Sequence, residues 1–449
     1  MSEDRFQVGA EIDGFTLGET IHSGGMGSIF RVSKPGSTLP LVMKVPWLGR
    51  ERANEAIVAF QTEAAIAPTL NGPHVPAFIA VGDIGTTPYL VIEWIDGTCL
   101  EDTVKSAPLP ASEVARIGAA LADALHALHL QQVIHLDFKP SNVILRADGR
   151  AVLIDFGFAH HAHQPDLLAE QTRFRAGSAP YVSPEQLLGS REDSRSDLFA
   201  LGVVLYELST GRLPFGEPDS DVRNRFWIDP APPAVLVPEL PAFLQEVILR
   251  CIEPRAELRY QSAAHVAFDL RNPEQVTLTE RASKQTNAGL LTHLGRFLRA
   301  RAEFGPRLRA PAPLLSATPI VLVAVDTSNF EDERHQAIFA ETAQILAQST
   351  ESRLICLAVI APSETSLDHL LRLREWVEPL GLPSARVSLH AIEANSAAEM
   401  ILQLARHNNV DRIVIGAPLE GGRAWANSTA SAVTANAGCS VHVVRVPKP

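Results

Sequence analysis

Cysteine is scarce. The four cysteines, Cys99, Cys251, Cys356 and Cys439, lie far apart and form no CxxC, which argues against a disulfide framework or a thiolate zinc site and suits a reducing cytosol. Long apolar runs are missing too. Ile320 to Val325 is representative of the longest, far below the ~20 residues that span a bilayer, and the N-terminal Met-Ser-Glu-Asp-Arg carries no apolar signal core. A cytoplasmic protein without a transmembrane segment is therefore expected. Basic excess is also absent: 39 Lys and Arg face 51 Asp and Glu, a net charge of −12, which argues against nucleic acid as a partner. No internal repeat occurs. With 46% hydrophobic and 20% charged residues over 449 positions, the composition is that of an ordinary globular protein of two or three domains.

Texture divides the chain. Residues 10–100 read as short strands with one helix near 53–70, and residues 108–270 as mostly helical with a loop-rich stretch from 135 to 185. Residues 318–446 alternate apolar strand runs with helical periods, the pattern of a parallel βαβ sheet. Residues 272–317 read as a linker: Leu290, Leu291, Leu294, Phe297 and Leu298 recur at helical spacing beside Arg296, Arg299 and Arg301, and prolines follow. A membrane-surface or partner-binding helix competes there with the blander reading, a helix packed on a neighbouring domain with its basic face solvated.

Phosphate chemistry is concentrated in the first 160 residues. In Ile21-His-Ser-Gly-Gly-Met-Gly-Ser-Ile29 the glycines let backbone N–H groups approach phosphate oxygens, although alone such a stretch reads equally well as a hairpin. Leu41-Val-Met-Lys44-Val45 sets one lysine in an apolar strand, which is costly unless its ammonium has anionic partners. Nucleotide phosphates and Glu63 on the following helix are the candidates. His135-Leu-Asp-Phe-Lys-Pro-Ser-Asn142 gathers an Asp, a Lys and an Asn, and Asp155-Phe-Gly157 follows after an apolar run. Phosphoryl transfer needs such a set: a carboxylate to receive the hydroxyl proton, a cation at the γ-phosphate and oxygen ligands for a divalent ion.

In this order, and with Ser183-Pro-Glu185 after them, these motifs resemble the protein kinase family over roughly residues 10–270, and Gly-Gly-Met-Gly is similar to its bacterial members. The resemblance implies a bilobal kinase domain over 1–271, with an N-lobe at about 10–93 and a C-lobe at about 97–271. It also implies ATP and Mg²⁺ (or Mn²⁺) as cofactors. Gly24, Gly25 and Gly27 would cover the phosphates, flanked by His22 and Ile29. Lys44 would bind the α- and β-phosphates and pair with Glu63. Asp137 would be the catalytic base, Lys139 would contact the transferring phosphate, and Asn142 and Asp155 would hold the metal. Ile92, Glu93 and Ile95 would line the adenine pocket at the hinge. Glu185 would pair with Arg259, and Asp197 resembles the buried anchor of the catalytic loop. Asp137 and Lys139 in Asp-x-Lys imply Ser or Thr substrates. Thr172, Ser178 and Ser183 are the candidate activation-segment sites, Ser178 standing in Gly177-Ser-Ala-Pro-Tyr181.

The sequence departs from the kinase pattern in two places. His22 occupies the first glycine position, where a Cβ is expected to restrict the turn. Leu136 replaces the arginine that grips a phosphate on the activation segment in relatives, so activity is expected not to depend on that clamp. His160, His161 and His163 cluster in the activation segment, where a solvated loop is expected rather than a metal site. Met26 reads as a flexible apolar cover of the loop tip.

Residues 318–449 read as a five-stranded, flavodoxin-like parallel sheet. Val323-Ala-Val-Asp-Thr-Ser328, Ile413-Val-Ile-Gly-Ala417, Asn427-Ser-Thr429 and Cys439-Ser-Val-His-Val-Val444 resemble the universal stress protein family. Some members bind ATP through a glycine-rich loop. Here Gly416 matches the first glycine, Leu419 stands at the second, Gly421 and Gly422 are displaced, and Asn427-Ser428 fits the final pair. Asp326, Gly416 and Ser428 are thus candidates for a second nucleotide site, with Asp326 as a plain turn or cap residue the alternative. A regulatory or dimerising domain is the expected role, the last strand pairing in a homodimer.

The reading that results is a serine/threonine protein kinase acting on protein substrates, itself included. One alternative is a catalytically weak pseudokinase that senses nucleotide as a scaffold, although Lys44, Asp137 and Asp155 are all present. Another is a stress-response binding protein whose ligand occupies the C-terminal domain.

Overall fold

The computed structural model describes residues 6–23, 27–46, 53–82, 87–162, 164, 166–170, 179–216, 229–285, 319–328, 333–348, 352–361, 366–382, 386–408, 410–418 and 428–445. The chain divides into two compact units. Among the described residues, no helix is long and apolar enough to cross a membrane. The basic helix expected at 290–298 lies outside the described residues.

The first unit opens with an antiparallel sheet of β1 (Glu11–Ile12), β2 (Phe15–Ser23), β3 (Gly27–Ser33), β4 (Leu41–Pro46), β5 (Phe78–Val81) and β6 (Leu90–Glu93) in the order β1-β2-β3-β4-β6-β5. Helix α1 (Ala53–Ile66) lies between β4 and β5 in the chain. Side chains alternate along a strand, and in β4 this splits Leu41, Met43 and Val45 from Val42 and Lys44. The first set packs with Phe15, Leu17, Phe30, Val32 and Val91. Val42 joins Leu90, Ile92, Phe60 and Ala67 on the α1 side, and Lys44 shares that face.

A larger, mainly helical lobe follows. It comprises β7 (Thr98–Cys99), α2 (Leu100–Val104), α3 (Ala111–Leu130), β8 (Val133–Ile134), β9 (Val143–Leu145), β10 (Ala151–Leu153), β11 (His160–His161), α5 (Pro184–Leu187), α6 (Arg195–Thr210), α7 (Pro233–Leu236), α8 (Ala242–Cys251) and α9 (Ala263–Arg271); α4 (Leu167–Glu170) falls between β11 and α5 in the chain but is assigned to the second unit. Helix α6 is buried along nearly its whole length from Ser196 to Thr210, as an apolar-all-round helix must be. It meets α8 closely: a Cβ on Gly202 would stand 2.5 Å from Cys251 Cβ. Around it Leu125, Leu128, Phe199, Leu205, Ile248 and Leu270 form one core. The histidines expected on a solvated loop differ from that picture. His160 and His161 form β11, paired antiparallel with Ile134 and Val133, because this stretch returns alongside the strand that leads into the loop of residues 135–142. His163 lies outside the described residues.

The second unit is a parallel sheet of β12 (Ile320–Ala324), β13 (Arg353–Ile360), β14 (Val387–Glu393), β15 (Arg412–Gly416) and β16 (Ser440–Val444) in the order β14-β13-β12-β15-β16. The order reverses between β12 and β15, the switch point of a doubly wound sheet. Strand β13 is buried over most of its length, which is how a strand covered on both faces reads. Helices α10 (Glu333–Ala347), α11 (Ser366–Val377), α12 (Ala397–His407) and α13 (Thr429–Asn436) alternate with the strands. Ile401, Leu404, Ala430 and Val433 cover one face through Leu322, Ile355 and Ile413. Phe339 of α10 meets Trp376 of α11 edge to face at 5.5 Å.

The linker is expected to begin at 272, but the first unit continues through Lys284. Val276 is buried in the helical core. The buried Glu246 carboxylate accepts from Thr279 N at 3.0 Å, Thr279 Oγ1 at 2.8 Å and Ala282 N at 3.1 Å. Arg281 bonds Glu253 at 2.8 Å. Neighbouring Gln245, fully buried, donates to Arg281 O, Ala282 O and Lys284 O, and Lys284 pairs with Asp229. The polar composition of 277–284 looks like linker because its partners are two buried polar side chains on α8. Removing the carboxylate leaves the Thr279 and Ala282 donors without their buried acceptor, so Glu246→Ala should cost about 1–3 kcal/mol of unfolding free energy in the full chain, read from urea midpoints. A loss below about 0.5 kcal/mol, the range of an ordinary surface change, would show that the segment is not held this way.

Candidate active site

Lys44 and Glu63 meet because β4 and α1 turn them toward each other: Lys44 Nζ donates to Glu63 Oε1 at 2.6 Å. Burial opposes the charge on Lys44, but the Glu63 and Asp155 carboxylates outweigh it and raise its pKa above the ordinary lysine value. Asp155 is half-buried; desolvation opposes its charge, and the Lys44 and Lys139 ammoniums overcome that and hold its carboxyl below the usual range. Asp155 and α1 are also joined through the backbone, since Phe156 N donates to Glu63 Oε1 at 3.3 Å. Phe156 packs under His135 with ring centroids 5.5 Å apart, which seats the Asp155–Gly157 turn against the loop of residues 135–142.

That loop converges on Asp137. Lys139 Nζ lies 2.7 Å from Asp137 Oδ2, and Asn142 Nδ2 donates to Asp137 O at 3.0 Å and to Asp137 Oδ2 at 3.2 Å. Ile154 N donates to Asn142 O at 3.0 Å, so the residue before Asp155 is tied to the same loop. Two side-chain-bearing residues here have left-handed backbone, Leu136 at φ 60° and Asp155 at φ 67°, a conformation that costs roughly 1–3 kcal/mol and is held only by its surroundings. For Leu136 the holder is Asp197. Its carboxylate, 1% exposed, accepts from Leu136 N and His135 N at 2.9 Å each and from His129 Nε2 at 2.8 Å. Burial works against that charge, but the His129 hydrogen bond leads the interactions that keep its pKa below the ordinary value.

Above the cleft, a Cβ on Gly27 would fall 2.3 Å from Val45 O, so only glycine fits where β3 crosses β4. Gly24, Gly25 and Met26 lie outside the described residues. His22 differs from its expectation. It sits in extended strand β2, paired with Ile29, and its Cβ imposes no restriction there because any residue adopts that backbone. Ile29 is paired with Lys44. Ile92 and Ile95 are buried. The Glu93 carboxylate accepts from Arg146 Nη2 at 2.9 Å and Ala77 N at 3.2 Å.

Of the candidate activation-segment hydroxyls, Thr172 and Ser178 lie outside the described residues. Ser183 is corrected: it is fully buried, and its hydroxyl caps α5 and bonds Ser196 Oγ at 3.0 Å, so it is closed to phosphorylation in this fold. Arg259, 1% exposed, grips Glu185 with two bonds of 2.6 and 2.8 Å. Gln186 was not singled out from the sequence. It completes a capping box with Ser183 and donates to Leu136 O at 2.7 Å, and Ser-x-x-Gln is a readable signal for the box. Arg191, His129 and Arg146 carry no motif that marks them.

In the second unit, Asp326 follows β12 and Gly416 ends β15, adjacent parallel strands. Their neighbourhood is locally committed. Asp326 Oδ1 accepts from Ser328 N and Ser328 Oγ at 3.1 and 2.6 Å, Ser428 Oγ caps α13, and a Cβ on Gly416 would stand 3.0 Å from Ile338 Cδ1.

The first-unit set fits a nucleotide-bound divalent ion by its chemistry. An ionised carboxylate at Asp155 stands beside an Asn142 whose amide nitrogen is spent on Asp137, which leaves the amide oxygen as the ligand atom. Mg²⁺ typically takes one or two protein oxygens and fills its shell with phosphate and water.

The protein kinase domain family model matches residues 15–265, and the universal stress protein family model matches residues 318–445. Serine/threonine-protein kinase PknB of Mycobacterium tuberculosis is 32% identical over 292 residues, covering 62% of this chain and 47% of that protein. Serine/threonine-protein kinase Pkn1 of Myxococcus xanthus is 33% identical over 300 residues, covering 64% and 42%. The chain therefore spans about half the length of the curated relatives it matches. The crystal structure of the Mycobacterium tuberculosis PknI kinase domain is 25% identical, with a TM-score of 0.46 and coverage of 59% of this chain and 98% of that one.

The Lys44–Glu63 pair can be tested apart from any reaction. Lys44→Met leaves Glu63 buried without its cation and should cost about 1–3 kcal/mol, while Lys44→Met/Glu63→Leu should recover most of it, since an apolar pair of similar volume replaces a buried ion pair without loss. Neither variant should bind ATP as tightly as the parent. Equal urea midpoints for parent and single variant would contradict the pairing.

Proposed function

Because the chain belongs to the protein kinase family, we propose that it transfers the γ-phosphate of ATP to serine or threonine hydroxyls of proteins, its own included. The observation that supports this best is the convergence of Lys44, Glu63, Asp155, Asp137, Lys139 and Asn142 on one cleft, with the Lys44 ammonium facing both the Glu63 and the Asp155 carboxylates.

Asp155 and Asn142 would hold Mg²⁺, or Mn²⁺, which when bound spreads the negative charge of the phosphates. Lys44, fixed by Glu63, binds the α- and β-phosphates. Asp137 orients the attacking hydroxyl and accepts its proton. Lys139, already 2.7 Å from Asp137 Oδ2, offsets charge on the transferring group. Ile92 and Ile95 enclose the adenine, and Gly27 lets the covering strand approach. The pseudokinase alternative has no comparable support: the lysine, the base and the metal-side carboxylate are all present and oriented together.

Leu136 shapes the regulation we infer. It is buried at 3% exposure and offers no cation to a phosphorylated activation segment, so activity does not wait on that clamp. For residues 318–445 we infer a regulatory or dimerising role. Strand β16 lies at the edge of its sheet, the place for a second copy to add. We also infer a cytoplasmic location.

Transfer is tested with the full chain, ATP labelled in the γ-phosphate and a generic protein acceptor. Asp137→Asn should lower the rate by about 10²–10⁴-fold, the usual worth of a positioned base, and still bind ATP. Thr172→Ala should retain transfer to the acceptor. A parent rate equal to that of Asp137→Asn would overturn the kinase reading, and a dead Thr172→Ala revived by a phosphate mimic at 172 would overturn clamp independence.

A further inference from the structure

A buried arginine outside the expected motifs reaches the turn that carries Asp155. Arg191 comes from the loop between α5 and α6 and is 8% exposed. Its Nη2 donates to Phe158 O at 3.0 Å and to Ala159 O at 3.4 Å. These carbonyls lie three and four residues beyond Asp155, just before β11 pairs with β8. On the other side of Asp155, Ile154 N is fixed to Asn142 O at 3.0 Å. Asp155 itself is in left-handed backbone at φ 67°. A strained residue persists only where its surroundings over-determine it, and here the near end is anchored by the catalytic loop and the far end by Arg191.

We propose that Arg191 is a positioning residue for Asp155: its guanidinium pins the far end of the strained turn and so keeps the Asp155 carboxylate aimed into the cleft without any phosphate on the activation segment. This rests on the reading of Asp155 as a metal-side ligand. It complements the absence of an arginine at 136. There, uncharged Gln186 ties Leu136 O to α5, while the cation that organises the segment is placed at 191 and acts on backbone carbonyls. Because the donors meet main-chain oxygens, the tether is built into the fold and is always set. A buried guanidinium needs such hydrogen bonds to be tolerated at all.

The test uses the full chain and a non-hydrolysable ATP analogue, titrated by calorimetry with and without Mg²⁺, for the parent, Arg191→Gln and Arg191→Lys. In the parent, Mg²⁺ tightens binding. In Arg191→Gln the metal-free affinity should stay near the parent's, while the tightening by Mg²⁺ shrinks about tenfold, the equivalent of releasing strain of this order. Arg191→Lys, which keeps the charge and a shorter donor, should fall between the two. A Mg²⁺ effect equal to the parent's in either variant overturns the proposal, as does an equal loss of metal-free and metal-dependent binding in Arg191→Gln. If Arg191→Gln does not fold, Arg191→Lys decides on the same criterion. A parent that binds Mg²⁺ and the analogue yet fails to transfer phosphate from ATP overturns the kinase reading and leaves this measurement standing, whereas a parent whose binding ignores Mg²⁺ overturns the role of Asp155 and with it that of Arg191.

Discussion

The buried carboxylate of Asp197 is the fixed point of the first unit. It takes two backbone N–H groups, those of His135 and Leu136, and a ring N–H from His129. Leu136 gains nothing from its left-handed backbone by itself, and a leucine there is held because the two peptides before it are locked to an ion. That lock sets the direction in which the chain leaves β8, and so where Asp137 points. Asp197 in turn is placed by α6, a helix that is buried on all sides. The apolar core and the reactive loop are thus joined through one desolvated charge, which keeps its pKa low because three donors face it.

From this point the rest of the cleft is a matter of mutual compensation. Lys44 offsets both the Glu63 and the Asp155 carboxylates, which repel one another, so the lysine is the group on which the other two depend. Asp137 is shielded in the same manner by Lys139 and Asn142. A half-buried site assembled from opposed charges is pre-organised for a ligand that brings both charges, namely phosphate and a divalent ion. Arg191 extends the same principle outward, since a charged donor on backbone carbonyls replaces a connection that would otherwise wait for a modification.

Much of this was legible in the sequence because it resides in short, ordered motifs. Strand alternation in Leu41-Val-Met-Lys44-Val45 already separates Lys44 from Met43, and the spacing from Asp137 to Asn142 already confines both to one loop. Among the described residues of 320–444, five strands alternate with helices, as the alternation of apolar strand runs and helical periods indicates. Other features were hidden because they depend on what stands opposite in space. Ser183 reads as an open hydroxyl until α5 and α6 close over it, although Ser-x-x-Gln points to a cap. Thr279 to Lys284 reads as linker because nothing nearby in sequence announces Gln245 and Glu246 as its receptors. His22 looks like an intrusion into a turn, yet it lies in the extended strand before that turn. Arg191 belongs to a loop of charged residues, and only the packing of that loop against the Asp155 turn distinguishes it from its neighbours Glu192 and Asp193.

The most direct test of the central claim is a crystal structure of the full chain with an ATP analogue and Mn²⁺, the metal located by its anomalous signal. The charge arrangement requires the metal to touch Asp155 and the Asn142 amide oxygen, with the terminal phosphate within reach of Lys139 and of a hydroxyl placed at Asp137. A nucleotide seated with its phosphates turned away from Asp155, or bound only by residues 318–449, would contradict it.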